Sequence, residues 1–598
     1  MKKNKKQKEL EKFKEDVVSQ TLAEFEKRRE QRLPYERQWE LNLAFASGKQ
    51  YVDVNSHGNI VEDGKRFYWQ ARGVYNHIAT LIETRLAKLL RVNPVLSVRP
   101  ASGDDGEINN AKLAEKIISD TFTKQNFVNT VRTVTEWAEY CGTGFYKVVW
   151  NTKGGAKIGV SDKKPIFEGE VEILPVSPFG IFPDNLSSES LETVGDIIHA
   201  RAITVDEVFA TYGVEVEGQT TQVLGGGELE NSVLLIERYT KPTDALPNGR
   251  LIVIAGNALV YYGDLPYTNG KDGRKEFPFI MQTACSFAGE FFGKSIIERL
   301  IPVQRAYNAV KNRKHEFLNR LTMGVIAVED GSVDIDDLEM DGLPPGKLIV
   351  YRQGSKAPEI VSENALPPDF ENEEQRLLNE FISVSGVSEV ASSSENGGAT
   401  SGSALEILIE QDNIRLTATA ECIRQAYVKI ATHTLRLYRE FMAGIRALKS
   451  MDEESKTKVY FVDKNVLTSD DVVIMNENEL LYDENKRRNM LLELYKSGVF
   501  NGVDGKLRAD TKSKILSLLG YADVDGESAM LKLHEEKARK ENKALLSGVF
   551  EADVYDEHAL HIDEHTRYAL SEDENLSSED KKRFADHITS HRQKIKEE

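Results

Sequence analysis

Two short runs in the 598-residue chain hold residue types at spacings that could do chemistry. Ala288-Gly-Glu-Phe-Phe-Gly293-Lys294-Ser295 fits the relaxed phosphate-loop pattern and lies between a strand-like run and a helix, the context that motif requires. A phosphate cradle turns successive backbone N–H groups toward the phosphates, and Phe291 and Phe292 crowd a loop that usually needs small residues. Val325 to Val328 with Glu329 and Asp330 could be an acidic partner strand, but short apolar runs ending in an acid are common. A structural turn leading into a helix is the favoured reading, with a packaging-type ATPase using Ala288 to Ser295 as the alternative. His561-Ile-Asp-Glu564-His565 has the H-x-x-E-H order of inverted zinc peptidases, with His558 one turn upstream. A catalytic zinc helix needs apolar, sheltering neighbours and a third ligand. Here Glu551 to Asp580 hold eleven acids against Arg567 alone, so an exposed helix without a metal is expected. Cys141, Cys285 and Cys422 are far apart and form no CxxC pattern, which excludes a disulfide framework and a cysteine zinc site. No G-x-S-x-G elbow or G-x-G-x-x-G loop occurs. The expectation is a chain without catalytic, cofactor-binding or metal residues.

The elements that would carry these runs follow from periodicity. Lys2 to about Arg32 is charged and free of Pro and Gly, with Leu10, Phe13, Val17 and Leu22 on one face, and reads as a solvated helix. Helical patterns follow in ERQWELNLAFASGKQYV and YNHIATLIETRLAKLL, the second stopped by Asn93-Pro94. From about Phe145 to Phe287 the period shortens to that of strands: FYKVVW, GEVEILPV, VLLIERYT and RLIVIAGNALVYY, the last turning at Gly256-Asn257. Val303 to Met323 lacks Pro and Gly and supports a helix of about 31 Å, with basic Arg305, Lys311, Arg313, Lys314 and Arg320. VIAV and KLIVYR read as a small β segment, and Asp369 to Ser385 as an acidic helix bearing Glu373 and Glu374. The opposed charges predict that the two helices pair with each other or with a neighbouring copy. At ~0.2 to 1 kcal/mol per exposed pair they would set register more than stability.

Ser383 to Ser403 contains eight Ser and four Gly and no cation, a flexible loop held between two helical rods. Ser403 to Met442 then runs without Pro or Gly, enough for a helix of about 60 Å. KVYFV and DVVIM are strand-like, and helical segments close the chain from about Glu479. Rods this long should have apolar faces that one copy cannot cover, which predicts a closed oligomer.

Hydrophobic residues make up 40% and charged residues 29%, a globular composition rather than a disordered one. With 77 basic against 96 acidic residues the net charge is −19, so a general electrostatic grip on nucleic acid is excluded. Leu251 to Gly263, the longest charge-free apolar stretch, falls well short of the ~20 residues of a membrane span. The lysine-rich N-terminus lacks an apolar h-region and is not expected to act as a secretory signal.

The order of these elements resembles the portal (head-to-tail connector) proteins of tailed bacteriophages. FFGKSIIERLIPVQRAYNAVKNRKHEFLNR is similar to the family's start of its stem helix. GGATSGSALEILIEQ is similar to the passage from its tunnel loop into the long helix. YERQWELNLAFASGKQY, VYNHIATLIETRLAKLLRVNP and EWAEYCGTGFYKVVWN resemble its N-terminal part. The resemblance covers about Tyr35 to Lys449 well, and the C-terminal part loosely.

It implies an α+β ring subunit. Its parts would be an N-terminal helix and β-rich wing (1–290), a first stem helix (291–322), a β clip (323–367), a second stem helix (368–385), a tunnel loop (386–402), a long helix with the rest of the wing (403–500) and a helical crown (501–598). The tunnel loop would bring Ser388, Glu389, Ser392, Ser393, Ser394, Asn396, Gly397, Gly398 and Thr400 to passing DNA. The implied assembly is a homo-oligomer, usually of twelve copies, at the portal vertex of the capsid in the virion, built in the host cytoplasm. Its implied partners are double-stranded DNA, the large terminase subunit, major capsid and scaffolding proteins and a head-tail adaptor, with no membrane and no cofactor. Twelve copies at −19 give 12 × 19 = 228 negative charges, a ring to which DNA should not adhere.

Overall fold

The N-terminal helix α1 runs from Lys2 to Ala46 with Pro34 inside it, and it fixes where the neighbouring strands pack. The computed structural model describes residues 2–55, 60–64, 70–161, 164–222, 227–270, 273–323, 325–336, 348–361, 366–386, 402–442, 444–451, 457–475, 493, 496–497, 525–546, 548, 550–571 and 576–597. Leu10 and Phe13 are exposed, but Val18, Phe25, Trp39, Leu41 and Phe45 are buried, together with Arg28 and Arg32. The expectation of a solvated helix up to Arg32 is therefore corrected. Its charged residues conceal an apolar stripe, and the two buried arginines reach acceptors. Arg28 meets the Asp196 carboxylate at 2.7 Å. Arg32 donates to the carbonyls of Pro178 and Ile181 at 3.0 and 2.7 Å.

The chain divides into two units, Met1–Leu448 with Tyr460–Leu481, and Lys449–Val459 with Tyr482–Glu598. In the first, α1 is followed by α2 (His77–Leu89), α3 (Asp105–Lys124), α4 (Phe127–Cys141), α5 (Val205–Tyr212), α6 (Ile296–Met323), α7 (Asp369–Ser385) and α8 (Gly402–Phe441). The larger sheet orders Ala258–Gly263, Arg250–Ala255, Glu228–Thr240, Asp196–Thr204 and Ile181–Pro183, with Gln219–Gln222 also pairing with Glu228–Thr240. A second sheet orders Phe279–Thr283, Thr143–Asn151 and Glu170–Val176. These ladders are antiparallel, with Leu235 facing Ala255 on one side and Arg201 on the other. With helices and antiparallel sheets segregated along the chain, the fold is α+β, as expected.

The Gly256-Asn257 hairpin forms where expected, with Ala255 opposite Ala258. Gly256 takes φ +58°, the left-handed value that a two-residue hairpin turn asks of its first central residue and that glycine adopts without Cβ strain. α7 has the predicted bounds, and α8 differs from its predicted span by one residue at each end.

Two expectations are corrected. Val325–Ala327 pairs with Glu359–Val361, while residues 348–350 of KLIVYR form no strand, so alternation alone misassigned the partner. The apolar face of α8 is buried within the chain at Leu416, Ile423, Ile430, Leu435 and Leu437, against α3, α4 and the Thr143–Asn151 sheet. Those five side chains bring about 1.5–3 kcal/mol each as an upper bound. This face consequently gives no argument for an oligomer.

In the second unit the described helices are α9 (Asp525–Leu545), α10 (His558–Ser571) and α11 (Ser578–Glu597). The helix expected to be exposed is not: α10 buries His558, His561, Glu564 and His565 against its neighbours. Of its two acids Asp563 is exposed, whereas Glu564 is buried with the histidines.

Candidate functional site: the charge-paired helices and their anchors

The phosphate-loop candidate resolves into a helix start. Ser295 caps α6, its hydroxyl accepting from the Ile297 amide at 3.1 Å, while Glu298 reaches back to the Ser295 amide at 3.2 Å, a reciprocal capping pair. The amides a phosphate would need are already engaged. Phe291 N–H donates to Leu186 O at 2.8 Å and Lys294 N–H to Cys285 O at 2.8 Å, and Gly293 N–H donates to the Thr143 hydroxyl at 2.7 Å. Phe291 and Phe292 are buried among Trp39, Phe145 and Phe179.

Gly293 has a packing reason. A Cβ there would lie 2.7 Å from Gly142 O, and one on Gly142, at φ +85°, would lie 2.0 Å from Gly293 O. The end of α4 and the start of α6 thus meet backbone to backbone. Lys294 pairs with Glu290 at 3.3 Å and covers the Phe287 ring.

α6 and α7 pair through their charges. Lys311 and Lys314 converge on Glu374, Lys314 at 3.2 Å, and Lys314 also reaches Glu371 at 3.7 Å. Burial would raise the Glu374 carboxyl, but the two ammonium groups outweigh it and hold the group below its ordinary value. The other predicted stem residues go elsewhere. Glu373 meets Arg376 of its own helix at 3.9 Å, Arg305 meets Asp53 at 3.3 Å, and Arg313 is exposed. Ser388, Glu389, Ser392, Ser393, Ser394, Asn396, Gly397, Gly398 and Thr400 lie outside the described residues.

Two functional features escaped the sequence reading. Gln304, Asn308, Asn312 and Glu316 recur every fourth residue, one face of α6, and hold the extended stretch 71–77 as a neighbouring strand would. Their acceptor oxygens take the amides of His77 (3.1 Å), Tyr75 (3.1 Å), Gly73 (2.8 Å) and Ala71 (3.0 Å). The i, i+4 spacing of amide side chains was the available signal. The second feature is Arg85 of α2. It forks onto the buried Glu139 carboxylate of α4 at 2.7 and 3.2 Å and donates to Ser385 O at 3.2 Å. Arg415 of α8 donates to Ser383 O at 3.4 Å. Together the two arginines tie the C-terminal end of α7 to α2, α4 and α8, and α7 ends where Gly386 takes φ +71°.

Between the two sheets' strands a cavity of about 1070 Å³ is lined by Lys147, His199, Glu237 and Tyr239, among others. Glu237 accepts from Lys147 and from Tyr239 (2.9 Å) and faces His199 Nδ1 at 3.0 Å. Burial and the Lys147 ammonium push His199 down to about 4, with Glu237 opposing. Burial also opposes ionisation of Glu237, yet Lys147 and His199 keep it well below the carboxylate range. The result is an internally satisfied ion cluster that closes the sheet.

An α+β protein emerges, in which a capped, charge-paired helix pair is anchored at the end of α7 by the buried Arg85 and the exposed Arg415. Residues 250–483 match the family model described as Phage P22-like portal protein, a match that supports a tailed-phage portal protein. That family is a structural, non-enzymatic class. The match runs from the Arg250–Ala255 hairpin strand through α6, α7 and α8 to Val472–Ile474. No curated protein matches the chain. No described helix is long and apolar enough to cross a membrane.

Proposed function

We propose that the chain is the subunit of a closed ring of about twelve copies at one capsid vertex, through which double-stranded DNA is packaged and later ejected. The ring would dock the large terminase subunit during filling and a head-tail adaptor afterwards, after assembling with major capsid and scaffolding proteins. Residues 1–290 would form the wing, 291–322 and 368–385 the stem, 323–367 the clip, 386–402 the tunnel loop, 403–500 the long helix with the rest of the wing, and 501–598 the crown. The observation that carries this reading is the family match across 250–483, which spans both charge-paired stem helices. The net charge of −19 supports passage without adhesion. In the clip, Leu348 and Val350 are 89% and 83% exposed, apolar surface of the kind that neighbouring copies cover.

Native mass spectrometry of the purified protein tests the ring, and a spectrum of monomers alone sinks it. Charge reversal of Glu373 and Glu374 to Lys should loosen the ring, more at low salt than at high salt, with Glu374 responsible for most of the effect. Shortening 388–400 should leave rings and empty heads intact while impairing packaging or DNA retention. The ATPase alternative would require ATP hydrolysis by the wild type that Lys294→Ala abolishes.

A further inference from the structure

The described residues of the second unit bury little apolar surface. Among its described residues the buried hydrophobic side chains are Ala538, Leu545 and Phe584, whereas Asn542, His558, His561, Glu564, His565, His587 and His591 are all buried. A helical bundle this small needs more than three hydrophobic side chains to close on, and proteins in that position commonly use a metal.

The donors converge from all three helices. Glu541 comes from α9, His565 from α10, and His587 and His591 from α11, and one ligand atom of each lies within 4.8 Å of all the others. Glu541 Oε2 is 3.6 Å from His565 Nε2 and 3.9 Å from His587 Nε2, and His587 Nε2 is 3.2 Å from His591 Nε2. Donors around a tetrahedral ion at ~2.0–2.1 Å lie about 3.3–3.4 Å apart.

The outer partners set the tautomers. His587 Nδ1 is 2.8 Å from the Phe550 carbonyl, an atom that only accepts, so the proton sits on Nδ1 and Nε2 offers a lone pair. His565 Nδ1 is 2.7 Å from Asn542 Oδ1, which likewise leaves Nε2 as the free donor. His591 Nδ1 is held by His558 at 2.9 Å. Histidines fixed through one nitrogen by an amide, a carbonyl or a second imidazole, with the other turned inward, have the outer-shell pattern of metal ligands.

Lone pairs of His565, His587 and Glu541 therefore face one another in a space without water access. His565 Nε2, Glu541 Oε2 and both ring nitrogens of the neighbouring His561 are buried and make no well-aligned hydrogen bond, His561 Nδ1 lying 3.0 Å from Glu541 Oε2. Asp556 is occupied by Lys537 and by the Asp553 amide at 2.9 Å, which leaves Glu541 as the carboxylate of the set.

We propose that Glu541, His565, His587 and His591 bind one divalent transition-metal ion, with Zn2+ as the favoured occupant, as a structural staple of the C-terminal helices. Three imidazoles and one carboxylate suit zinc in tetrahedral geometry, and four protein ligands leave no open position for catalysis. The inference is independent of the portal reading.

The test uses untagged full-length protein, stripped with EDTA and reloaded with Zn2+ or Co2+, with metal content measured by elemental analysis. About one ion per chain should be retained after gel filtration, and the Co2+ form should show the intense visible bands of a tetrahedral site. Glu541→Gln and His587→Gln should each lower retained metal at least tenfold, while His534→Gln, outside the set, should retain it. Should a variant fail to fold, the wild-type stoichiometry and Co2+ spectrum still decide. Less than a tenth of an ion per wild-type chain, an octahedral Co2+ spectrum, or undiminished binding in the folded variants would each overturn the proposal.

Discussion

Arg85 is where a single substitution should reveal how the C-terminal end of α7 is held. Its guanidinium and the Glu139 carboxylate are 5% and 0% exposed, so neither charge has water to fall back on. Arg85→Met removes two hydrogen bonds to Glu139 and one to Ser385 O, and leaves the carboxylate buried without a counter-charge. Breaking such a pair from one side costs about 3–5 kcal/mol. Glu139→Gln keeps the shape and one acceptor and should cost about 1–3 kcal/mol. The double variant Arg85→Met/Glu139→Leu removes both charges and should recover to within about 1 kcal/mol of wild type, since apolar replacements of a buried pair are often neutral. Urea unfolding followed by tryptophan fluorescence reads this directly, because Trp137 sits on α4 beside Glu139. With a slope of about 3 kcal/mol/M, Arg85→Met should move the midpoint by about 1 M or more. A single variant within about 1 kcal/mol of wild type, or a double variant as unstable as the sum of its singles, would refute the reasoning.

Ser295→Ala should cost about 1 kcal/mol through the lost cap of α6, while Lys294→Ala stays within about 0.5 kcal/mol; thermal melting distinguishes the two, and the reverse order would restore interest in the phosphate-loop reading. His199 is held at about 4 by burial and by Lys147, below its unfolded value of about 6.5. Because the unfolded state then binds the proton first, stability is full above about pH 6.5 and falls, by an amount on the order of 3 kcal/mol, as pH drops toward 4. Melting curves across that window should flatten in His199→Gln. Arg32→Lys should cost about 2 kcal/mol despite its conserved charge, since an ammonium reproduces neither the fork onto Pro178 O and Ile181 O nor the stacking on Phe182; a change below about 0.5 kcal/mol in denaturant unfolding counts against it.

Much of the architecture was legible because local patterns and tertiary demands agree. The alternation in VLLIERYT and RLIVIAGNALVYY sits in half-buried strands of the larger sheet, and the absence of Pro and Gly from 403 to 442 matches α8. The opposed charges of α6 and α7 marked a real pairing, though they could not say that Glu374 rather than Glu373 faces α6, since one residue turns a side chain by about 100° around the axis. Val472–Ile474 pairs with Leu96–Val98 across more than 370 positions, a contact that no local pattern encodes. The H-x-x-E-H run was visible, but its second half, His587 and His591, lies on another helix, and burial is decided by three helices at once. Acidic outward positions misled the reading there because composition averages over faces that the structure separates.

The same separation explains how a chain of net charge −19 uses its cations. Several buried or half-buried arginines reach backbone carbonyls of strands and loops. Arg28 serves Phe182 O and Asp196 O, both at 3.3 Å, Arg436 serves Asn269 O at 2.7 Å, and Arg446 serves Glu168 O at 3.0 Å. Buried carbonyls have lone pairs that donors can fill, and a guanidinium carries five donors in a plane with weak hydration, so Arg suits this work where Lys does not. An acid accompanies most of these arginines: Asp196 for Arg28, Glu36 for Arg32, Glu139 for Arg85 and Asp470 for Arg436. The interior pairs therefore cancel, and the negative surplus falls on the accessible surface. In the proposed ring, a wall along which DNA moves without adhering would need that distribution, and pairing arginines with acids in the interior is one way to reach it.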